Sequence, residues 1–514
     1  MPASAFTGGI ELQGGAGGRG FSVAGLEADL SECRRVQRGW SELSVRARLR
    51  VLRRFRLRAA ERSVELAVLV GRESLAETLS AEVLPLLDAV RYLERCAVRL
   101  LRERRVRSVG RPLWLWGNRV FRRPEPLGVV LVIGPANYPL YLPGVQLVQA
   151  LAAGNGVLLK PAPGCSGSLR MLVQLAVESG LPEGLVQLLD DAPAAGAAAI
   201  RAGVDKVLLT GSAGTGRAVA DQLAAGPVPA VMELSGCDAV FVLEDADLAL
   251  VADCLWYGLR LNGSRTCLAP RRVFVLLEQA DRLIERLRAR ISEAGGMELR
   301  GRPGGSGEAA SVKYALSVIG EAVQQGAVVR SGSLPDVSRN MPAESPIVLD
   351  LVRPEMRVVC EDLFFPVLSV LRVRDVEEAL EQSRKCAYAL AATVFGSTVN
   401  AMRIARKVDA GTVVLNDMIA VTADPRVSFE GRHASGFGAT RGEAGLMEFV
   451  QVKQVIRPRL FFRPHLQDAG PFDAEVLEQL IGLEHAGWFI RRLLYLPRLI
   501  WAVWRQWNWR RQQN

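Results

Sequence analysis

The sequence of 514 residues predicts an open, doubly wound α/β sheet. Between residues 128 and 216, short apolar runs rich in Val and Leu alternate with helix-like stretches. Three of these runs end at glycine or proline, at Gly134, Pro161 and Gly211. Apolar runs of this kind, alternating with helices, are typical of parallel strands that are buried on both faces. Ligands of such sheets bind beyond the carboxyl ends of the strands, so functional residues are expected there.

Other elements flank this stretch on both sides. Residues 26–105 predict helices, because leucines recur there at helical spacings among arginines and glutamates. Residues 106–126 predict an extended hairpin, and residues 449–457 alternate apolar and polar side chains as a strand that could pair outside its own domain. A second α/β stretch begins near residue 231. The strands predicted in the two α/β stretches are 128–133, 157–160, 186–189, 206–210, 231–236, 239–243, 273–277, 346–351, 365–371 and 411–416.

The composition excludes several classes of protein. Apolar residues make up 49% and charged residues 23%, which argues against intrinsic disorder, collagen and a polytopic membrane protein. The eight cysteines form no C-x-x-C motif, so neither a disulfide framework nor a zinc ribbon is expected. The three histidines all lie in the last fifth of the chain. We therefore expect no metal site, and we expect a carboxylate as the catalytic base.

The net charge of +10 is concentrated at one end of the chain. Residues 485–514 contain six Arg and no acidic residue, so +6 lies there and +4 is left for the other 484 residues. A basic face spread over the body is not indicated, and no nucleic-acid partner is expected. The same segment holds five of the nine tryptophans, and its longest apolar run is Leu499–Trp504. That run is far too short to span a bilayer, whereas interleaved Trp and Arg suit the lipid headgroup level.

Two residues have side chains suited to covalent catalysis. Glu233 lies in an apolar run, where burial would raise its pKa towards that of a general base, although a buried ion pair with an arginine is an equally good explanation. Cys267 follows a loop of small and polar residues, 262–266, and precedes Leu268. A cysteine on such a loop can be reactive, but a lone cysteine is more often an inert packing residue.

Two further features suit a phosphate or ribose ligand. Gly211, Ser212 and Gly216 lie at a strand-to-helix junction, where glycines allow a phosphate to approach the backbone and the helix N-terminus. A tight turn explains the glycines as well, and Arg217 stands where a P-loop needs lysine. Lys160 ends a predicted buried strand, from which it could bond a ribose or a phosphate, the alternative being a surface lysine.

Taken together and in order, these motifs resemble the NAD(P)-dependent aldehyde dehydrogenase superfamily over about residues 26–458. Seven segments carry the resemblance: Pro126–Pro139 to the oxyanion segment, Ala150–Pro161 to the ribose-binding strand, Thr210–Gly216 to the pyrophosphate turn, Met232–Gly236 to the general-base motif, Gly263–Pro270 to the nucleophile loop, and Glu361–Pro366 and Gly411–Asn416 to segments that follow in register.

The resemblance implies a covalent mechanism. Cys267 would attack the aldehyde carbon, and the Asn137 amide together with the Cys267 backbone N–H would hold the oxyanion. Hydride transfer to the nicotinamide would leave a thioester. Glu233, which could first deprotonate Cys267, would activate the water that hydrolyses this thioester to a carboxylate.

The resemblance also implies the cofactor site. Lys160 would hold the adenosine ribose, and Gly211, Ser212 and Gly216 the pyrophosphate. Pro135 and Leu234 would border the cofactor, Asp362 would bond the nicotinamide ribose, and Phe364 would pack nearby. Both NAD and NADP stay open, because Pro163 stands where many NAD-preferring members have an acidic residue.

Some positions depart from the family pattern. Ser235 and Phe365 replace glycines, and Asp362 replaces a glutamate. These departures keep alternatives open, namely a CoA-acylating or acyl-reducing relative and a non-catalytic scaffold. The intact Cys267, Glu233 and Asn137 favour a dehydrogenase.

The expected organisation follows from the resemblance. Its parts are a flexible N-terminus (1–25), a Rossmann-like cofactor domain (26–234), a second α/β, catalytic domain (235–430), a return segment with an oligomerisation strand (431–460) and a basic, Trp-rich tail (461–514). Residues 106–126 would join strand 449–457 in a small β element that forms a dimer or tetramer.

The tail and the N-terminus bear on location. The N-terminus shows no signal-peptide pattern, which predicts a cytoplasmic protein. The tail resembles those of membrane-associated long-chain aldehyde dehydrogenases. It predicts an anchor on the cytoplasmic face of a membrane and a lipophilic substrate, fatty or isoprenoid, the alternative being a tail that docks on protein.

Overall fold

The computed structural model describes residues 22–294, 306–332, 346–458, 464–466, 468–487 and 489–513. Residues 1–21 of the expected flexible N-terminus lie outside this range, and the last residues of that segment, from Val23, are helical. The helices are α1 (Val23–Glu42), α2 (Val45–Glu61), α3 (Ser63–Val70), α4 (Leu75–Thr78), α5 (Leu84–Leu100), α6 (Tyr141–Ala153), α7 (Ser166–Glu178), α8 (Pro193–Arg201), α9 (Ala213–Leu223), α10 (Leu248–Arg260), α11 (Leu277–Glu293), α12 (Ser306–Gln324), α13 (Arg357–Cys360), α14 (Val376–Ser383), α15 (Thr398–Ala405), α16 (Gly442–Met447), α17 (Asp473–His485) and α18 (Phe489–Gln513).

The strands make up two large sheets and three small ones. They are β1 (Arg104–Arg105), β2 (Arg119–Pro126), β3 (Val129–Ile133), β4 (Gly156–Lys160), β5 (Val186–Leu188), β6 (Lys206–Thr210), β7 (Ala230–Glu233), β8 (Asp238–Val242), β9 (Pro270–Leu276), β10 (Val328–Ser331), β11 (Ile347–Asp350), β12 (Val367–Val373), β13 (Tyr388–Ala389), β14 (Ala391–Phe395), β15 (Thr412–Leu415), β16 (Phe429–Glu430), β17 (Arg432–His433), β18 (Gly436–Phe437), β19 (Ala439–Thr440) and β20 (Val450–Arg457).

The first large sheet has the strand order β18-β7-β6-β3-β4-β5 and is parallel except for β18. Successive residues of β3 enter opposite cores, because Val130 and Val132 pack against α2, α5, α6 and α7, whereas Val129 and Leu131 pack against α1 and α8. Alternation of this kind is why the strand is apolar throughout. The predicted doubly wound sheet is therefore confirmed. The strand order reverses beside β3, where β4 lies on one side and β6 on the other.

The second large sheet has the order β10-β11-β12-β9-β8-β14-β15 and is parallel except for β10. Its two faces are also covered, since Phe241 and Val240 of β8 enter different cores. The chain passes from the first sheet to the second between Glu233, the last residue of β7, and Asp238, the first of β8. This bridging segment brings the two sheets to one site.

A separate compact unit comprises residues 102–124 and 452–514. Its strands form the sheet β1-β2-β20, in which β1 pairs antiparallel with β2; β1 lies at residues 104–105, before the predicted hairpin of 106–126 and within the stretch predicted as helical. Helices α17 and α18 pack against each other, with Arg505 bonded to Glu475 and Arg510 to Asp473, both at 3.0 Å. Among the described residues, no helix is long and apolar enough to cross a membrane.

Candidate active site

The structure brings Cys267 and Glu233 together from different sheets. The Cys267 sulfur lies 3.8 Å from the Glu233 Oε1 atom. Glu233 ends β7 of the first sheet, and Cys267 lies between α10 and β9 of the second. Cys267 and Glu233, which are each weak candidates from the sequence alone, are thus in direct contact in the structure.

The loop before Cys267 is strained. Asn262, Gly263 and Ser264 have φ values of 52°, 62° and 62°, a left-handed run that non-glycine residues adopt only at a cost. Arg271 stabilises this loop, since its guanidinium donates to the Ser264 hydroxyl and to the Ser264 carbonyl oxygen, both at 2.8 Å. This support fixes the direction in which the loop presents Cys267.

Burial sets the protonation of the pair. It raises the pKa of Glu233, against the opposing charge of Arg441. Burial also raises the pKa of the Cys267 thiol well above its usual value, and the charge of Glu233 adds to this. The resting sulfur is therefore a thiol with a proton acceptor beside it. Within the described part of the chain, the Glu233 Oε2 atom has no hydrogen-bond partner, so it is available to a water molecule.

Asn137 lies against the nucleophile loop. Its Nδ2 donates to the Arg265 carbonyl oxygen at 3.0 Å, and its carbonyl oxygen accepts from Asn262 Nδ2 at 3.0 Å. The Cys267 backbone N–H donates to no acceptor among the residues that the structure describes. The Asn137 amide, from the segment between β3 and α6, therefore lies against the loop that carries the sulfur and its backbone N–H.

Four of the predicted cofactor residues lie at the carboxyl ends of β3, β4 and β6, beside the reversal of strand order. Lys160 is buried and donates to the Asp191 carbonyl oxygen at 2.8 Å, so it is not a surface lysine, and burial lowers its pKa. Pro135 follows β3 directly, and Gly211 and Ser212 follow β6.

The turn after β6 fits a pyrophosphate. Ser212 caps α9, its hydroxyl accepting from the Thr215 N–H at 3.1 Å, and the first helical residues stay exposed. A Cβ on Gly216 would lie 2.8 Å from the Leu234 side chain, so only glycine lets α9 lie this close to the end of β7. The free N–H groups and positive end of the α9 dipole suit a diphosphate.

Asp362 is held by an arginine that sequence analysis missed. Its carboxylate accepts from Arg271 Nε at 3.1 Å and from the Phe364 N–H at 3.2 Å. Burial raises the pKa of Asp362 to about 6, although Arg271 opposes the shift. The Oδ2 atom has no partner within the described ranges, which leaves one oxygen for a ligand. Phe365, which replaces the expected glycine, is buried in the apolar core of the second sheet.

Four other charged residues near the site were also missed. Arg72 and Glu82 form an ion pair at 2.7 Å, and Arg72 also donates to the Asn137 carbonyl oxygen. Arg441, also buried, stacks on Phe429, and its charge opposes the rise in the pKa of Glu233. Arg272 follows Arg271 in β9. Of these missed residues, only the adjacent pair Arg271 and Arg272 could have been suspected from the sequence, because the two arginines directly follow the segment 263–270. Arg72 and Glu82 stand in a helical stretch full of arginines and glutamates.

The fold and the geometry define a class of α/β enzyme in which a glutamate at the end of one doubly wound sheet contacts a cysteine that precedes a strand of another. The chain belongs to the aldehyde dehydrogenase family, whose model matches residues 22–455. The chain is 32% identical over 429 residues to a 4,4'-diapolycopene aldehyde oxidase of Methylomonas sp, covering 82% of this chain and 80% of that protein. The resemblance found in the motifs is thereby confirmed.

Solved structures of similar chains support this family assignment. The NADP-dependent glyceraldehyde-3-phosphate dehydrogenase from Bacillus halodurans C-125, complexed with NADP, is 27% identical with a TM-score of 0.77, covering 85% of this chain and 92% of that one. An NAD-dependent aldehyde dehydrogenase from Sinorhizobium meliloti is 26% identical with a TM-score of 0.77, covering 86% and 89%. The protein is an oxidoreductase that oxidises an aldehyde with NAD or NADP.

Proposed function

We propose that the aldehyde substrate is oxidised to the carboxylate through a thioester formed on Cys267. The 3.8 Å contact between its sulfur and Glu233 carries this proposal. Glu233 takes the thiol proton as the sulfur adds to the aldehyde carbon, and the oxyanion of the thiohemiacetal accepts from Asn137 Nδ2 and the Cys267 N–H. The bound nicotinamide supplies the hydride acceptor. Glu233 releases that proton to solvent and, as a carboxylate again, deprotonates the water that cleaves the thioester and frees the Cys267 sulfur.

We further propose how this chain holds the dinucleotide. The N-terminus of α9, with Gly211, Ser212 and Gly216, binds the pyrophosphate, and Lys160 binds the adenosine ribose. Pro135 and Leu234 border the crevice. Asp362, through its unpartnered oxygen, bonds the nicotinamide ribose, with Phe364 beside it. Either NAD or NADP suits a crevice in which Pro163 carries no charge to repel a 2′-phosphate.

The substrate that we propose is lipophilic, a fatty or isoprenoid aldehyde. The similarity to a diapolycopene aldehyde oxidase supports this class, and so do the exposed apolar side chains of the tail. We propose that α18 lies on the cytoplasmic face of a membrane, and that the sheet β1-β2-β20 joins subunits into a dimer or tetramer. The domain boundaries predicted from the sequence remain part of this proposal.

A kinetic comparison of two cysteine variants tests the reaction. The purified chain is assayed for NADH or NADPH formation with a medium-chain aldehyde, beside Cys267→Ala and Cys254→Ala. Cys254 is a matched control, half-buried in α10. We expect Cys267→Ala to lose all turnover and Cys254→Ala to keep it. Equal activity in the two variants would refute the role of Cys267.

The product separates the alternatives. Hydrolysis of the thioester yields the free acid whether or not CoA is present. We expect this product, because Glu233 lies beside the Cys267 sulfur and can activate water there. Formation of acyl-CoA only when CoA is added would indicate the CoA-acylating relative. A chain that turns over no aldehyde, binds no NAD and shows no titratable thiolate at Cys267 would indicate a scaffold.

A further inference from the structure

Two hydrogen bonds join the segment that carries Asn137 to the loop that carries Cys267. Asn137 Nδ2 donates to the Arg265 carbonyl oxygen at 3.0 Å, and the Tyr138 hydroxyl lies 2.8 Å from the Thr266 hydroxyl. Adjacent residues of one segment are thus paired with adjacent residues of the other, directly before the nucleophile. Both pairs span 128 positions of the chain, so they are tertiary contacts.

The two hydroxyl groups are buried, so their hydrogen bond is hard to replace. Tyr138 is 8% exposed and Thr266 is 2% exposed. A buried hydroxyl that loses its partner is left desolvated and unsatisfied, which is unfavourable. Burial also raises the pKa of Tyr138, so the phenol stays neutral and serves as a hydrogen-bonding group rather than as a base.

The backbone of Tyr138 also orients the Asn137 amide. The Tyr138 N–H donates to Asn137 Oδ1 at 3.0 Å, while Asn137 Nδ2 donates to the Arg265 carbonyl oxygen. Rotating the amide by half a turn would set donor against donor at Tyr138 and acceptor against acceptor at Arg265, so the observed orientation is favoured. The amide nitrogen carries two hydrogens, and the one that does not bond Arg265 remains for the oxyanion.

Thr266 is the residue through which this contact reaches the nucleophile. The strained backbone of residues 262–264 lies at the start of the loop. At the other end, beside Cys267, the Thr266 carbonyl oxygen accepts from the Ala269 N–H at 3.0 Å, and the Thr266 hydroxyl contacts Tyr138. Strained backbone persists only where the surrounding contacts define it, so the position of the sulfur depends on these supports.

We propose that Tyr138 is a positioning residue for acylation, whose hydroxyl keeps the Cys267 sulfur and the Asn137 amide in register for one aldehyde carbonyl. This inference rests on the proposed reaction at Cys267. A misplacement of about 1 Å in such an arrangement slows catalysis by up to about 10²-fold. Loss of the hydroxyl contact therefore slows the formation of the thioester and leaves the affinity for the dinucleotide unchanged.

A single-turnover comparison of matched variants tests this role. The full chain, in excess over a medium-chain aldehyde and saturated with NAD or NADP, is mixed rapidly, and the first-order rate of NADH or NADPH formation is recorded. Tyr138→Phe removes only the hydroxyl oxygen, and we expect this rate to fall about tenfold. Tyr257→Phe is the control and should keep the parent rate, since Tyr257 is half-buried in α10, outside both segments.

Substitutions of Thr266 test the same contact from the other side, without a change at Tyr138. Thr266→Val, which has no hydroxyl, should be about tenfold slower, whereas Thr266→Ser, which keeps one, should stay within about twofold of the parent. Because both changes remove one contact, Tyr138→Phe/Thr266→Val should be no slower than either single variant. The Kd for NAD or NADP should be the same in all these proteins.

The outcomes separate this inference from the reaction on which it rests. A parent rate in Tyr138→Phe, equal rates for Thr266→Val and Thr266→Ser, or losses that multiply in the double variant would overturn the positioning role and leave the proposed reaction intact. A weaker Kd for the dinucleotide that accounts for the whole loss of rate would do the same. No NADH or NADPH formation by the unsubstituted chain would overturn the proposed reaction, and this inference with it.

Discussion

The Arg72 guanidinium lies 4.7 Å from the centroid of the Tyr138 ring and donates to the Asn137 carbonyl oxygen at 2.8 Å. The same group pairs with Glu82, and both side chains are buried. Glu82 in turn accepts from two backbone N–H groups at the start of α6, at 3.0 and 2.8 Å. A buried ion pair therefore ties the α3–α4 region to the segment that carries Asn137.

Breaking this pair on one side should be costly. Arg72→Met removes the guanidinium that neutralises the buried Glu82 carboxylate, so we expect the free energy of unfolding to fall by about 3–5 kcal/mol. The double variant Arg72→Met/Glu82→Gln removes that charge and should recover part of the loss. Urea unfolding of both variants and of the exposed control Arg62→Met measures the difference. A double variant as unstable as Arg72→Met would contradict this explanation.

Glu233→Gln should separate acylation from hydrolysis. The amide cannot deprotonate water, so we expect steady-state turnover to fall by about 10²–10⁴-fold. If Cys267 still acylates, rapid mixing would show a burst of NADH near one equivalent per site, followed by almost no further formation. Loss of the burst together with turnover would mean that Glu233 is needed first to deprotonate Cys267. Unchanged steady-state turnover would rule out Glu233 as the base.

Asp362 should make stability depend on pH. Its folded pKa of about 6 lies above its ordinary 3.8, so the folded state binds the proton more tightly than the unfolded state. This preference stabilises the fold below pH 3.8 and is lost as the pH rises through 6. Relative to Asp362→Asn, the wild-type protein should lose about 3 kcal/mol between those limits. Parallel pH profiles of unfolding for the two proteins would contradict the shift.

Gly216 should govern dinucleotide affinity through packing. A methyl group there would meet the Leu234 side chain at 2.8 Å, so Gly216→Ala should displace the start of α9. We expect the Kd for NAD or NADP to rise about tenfold, the equivalent of about 1.4 kcal/mol. Gly226→Ala is the control, because nothing lies within 4 Å of its added methyl group. Calorimetric titration measures both, and equal affinities would argue against close packing as the role of this glycine.

The sequence predicted the first sheet well, because β3, β4 and β6 are apolar over most of their length and are each followed by glycine or proline. The Cys267–Glu233 contact was reached through motif resemblance, since neither residue is distinctive alone. The arginines that hold the site could not be found in this way. Arg271 pairs with Asp362 across 91 positions, and an arginine-rich chain gives no sign of which guanidinium is buried. Asn262 and Gly263 favour positive φ locally, whereas the positive φ of Ser264 accompanies its two hydrogen bonds from Arg271, which the sequence does not reveal.

The tail is predicted to bind a lipid membrane, but its packing against α17 reduces the positive charge that it can offer to the lipid. Arg505 and Arg510 of α18 already form ion pairs with acidic residues of α17, so part of the positive charge of the tail is neutralised between these two helices. The apolar side of α18 is open instead, with Trp501, Trp504 and Trp507 about half exposed. We therefore expect the tryptophans to contribute more to membrane binding than the arginines do.

Vesicle sedimentation of a triple variant measures this contribution. With vesicles of phosphatidylcholine and phosphatidylserine, the wild-type chain should sediment, and Trp501→Gln/Trp504→Gln/Trp507→Gln should stay largely in the supernatant. Trp114→Gln/Trp116→Gln is the matched control, because these tryptophans are 66% and 71% exposed but lie outside the tail. Added salt should weaken the wild-type interaction only partly, since buried rings are not screened by salt. If the wild-type chain stays in the supernatant while keeping its activity, the tail does not bind lipid, and docking on protein is the better explanation for its apolar side.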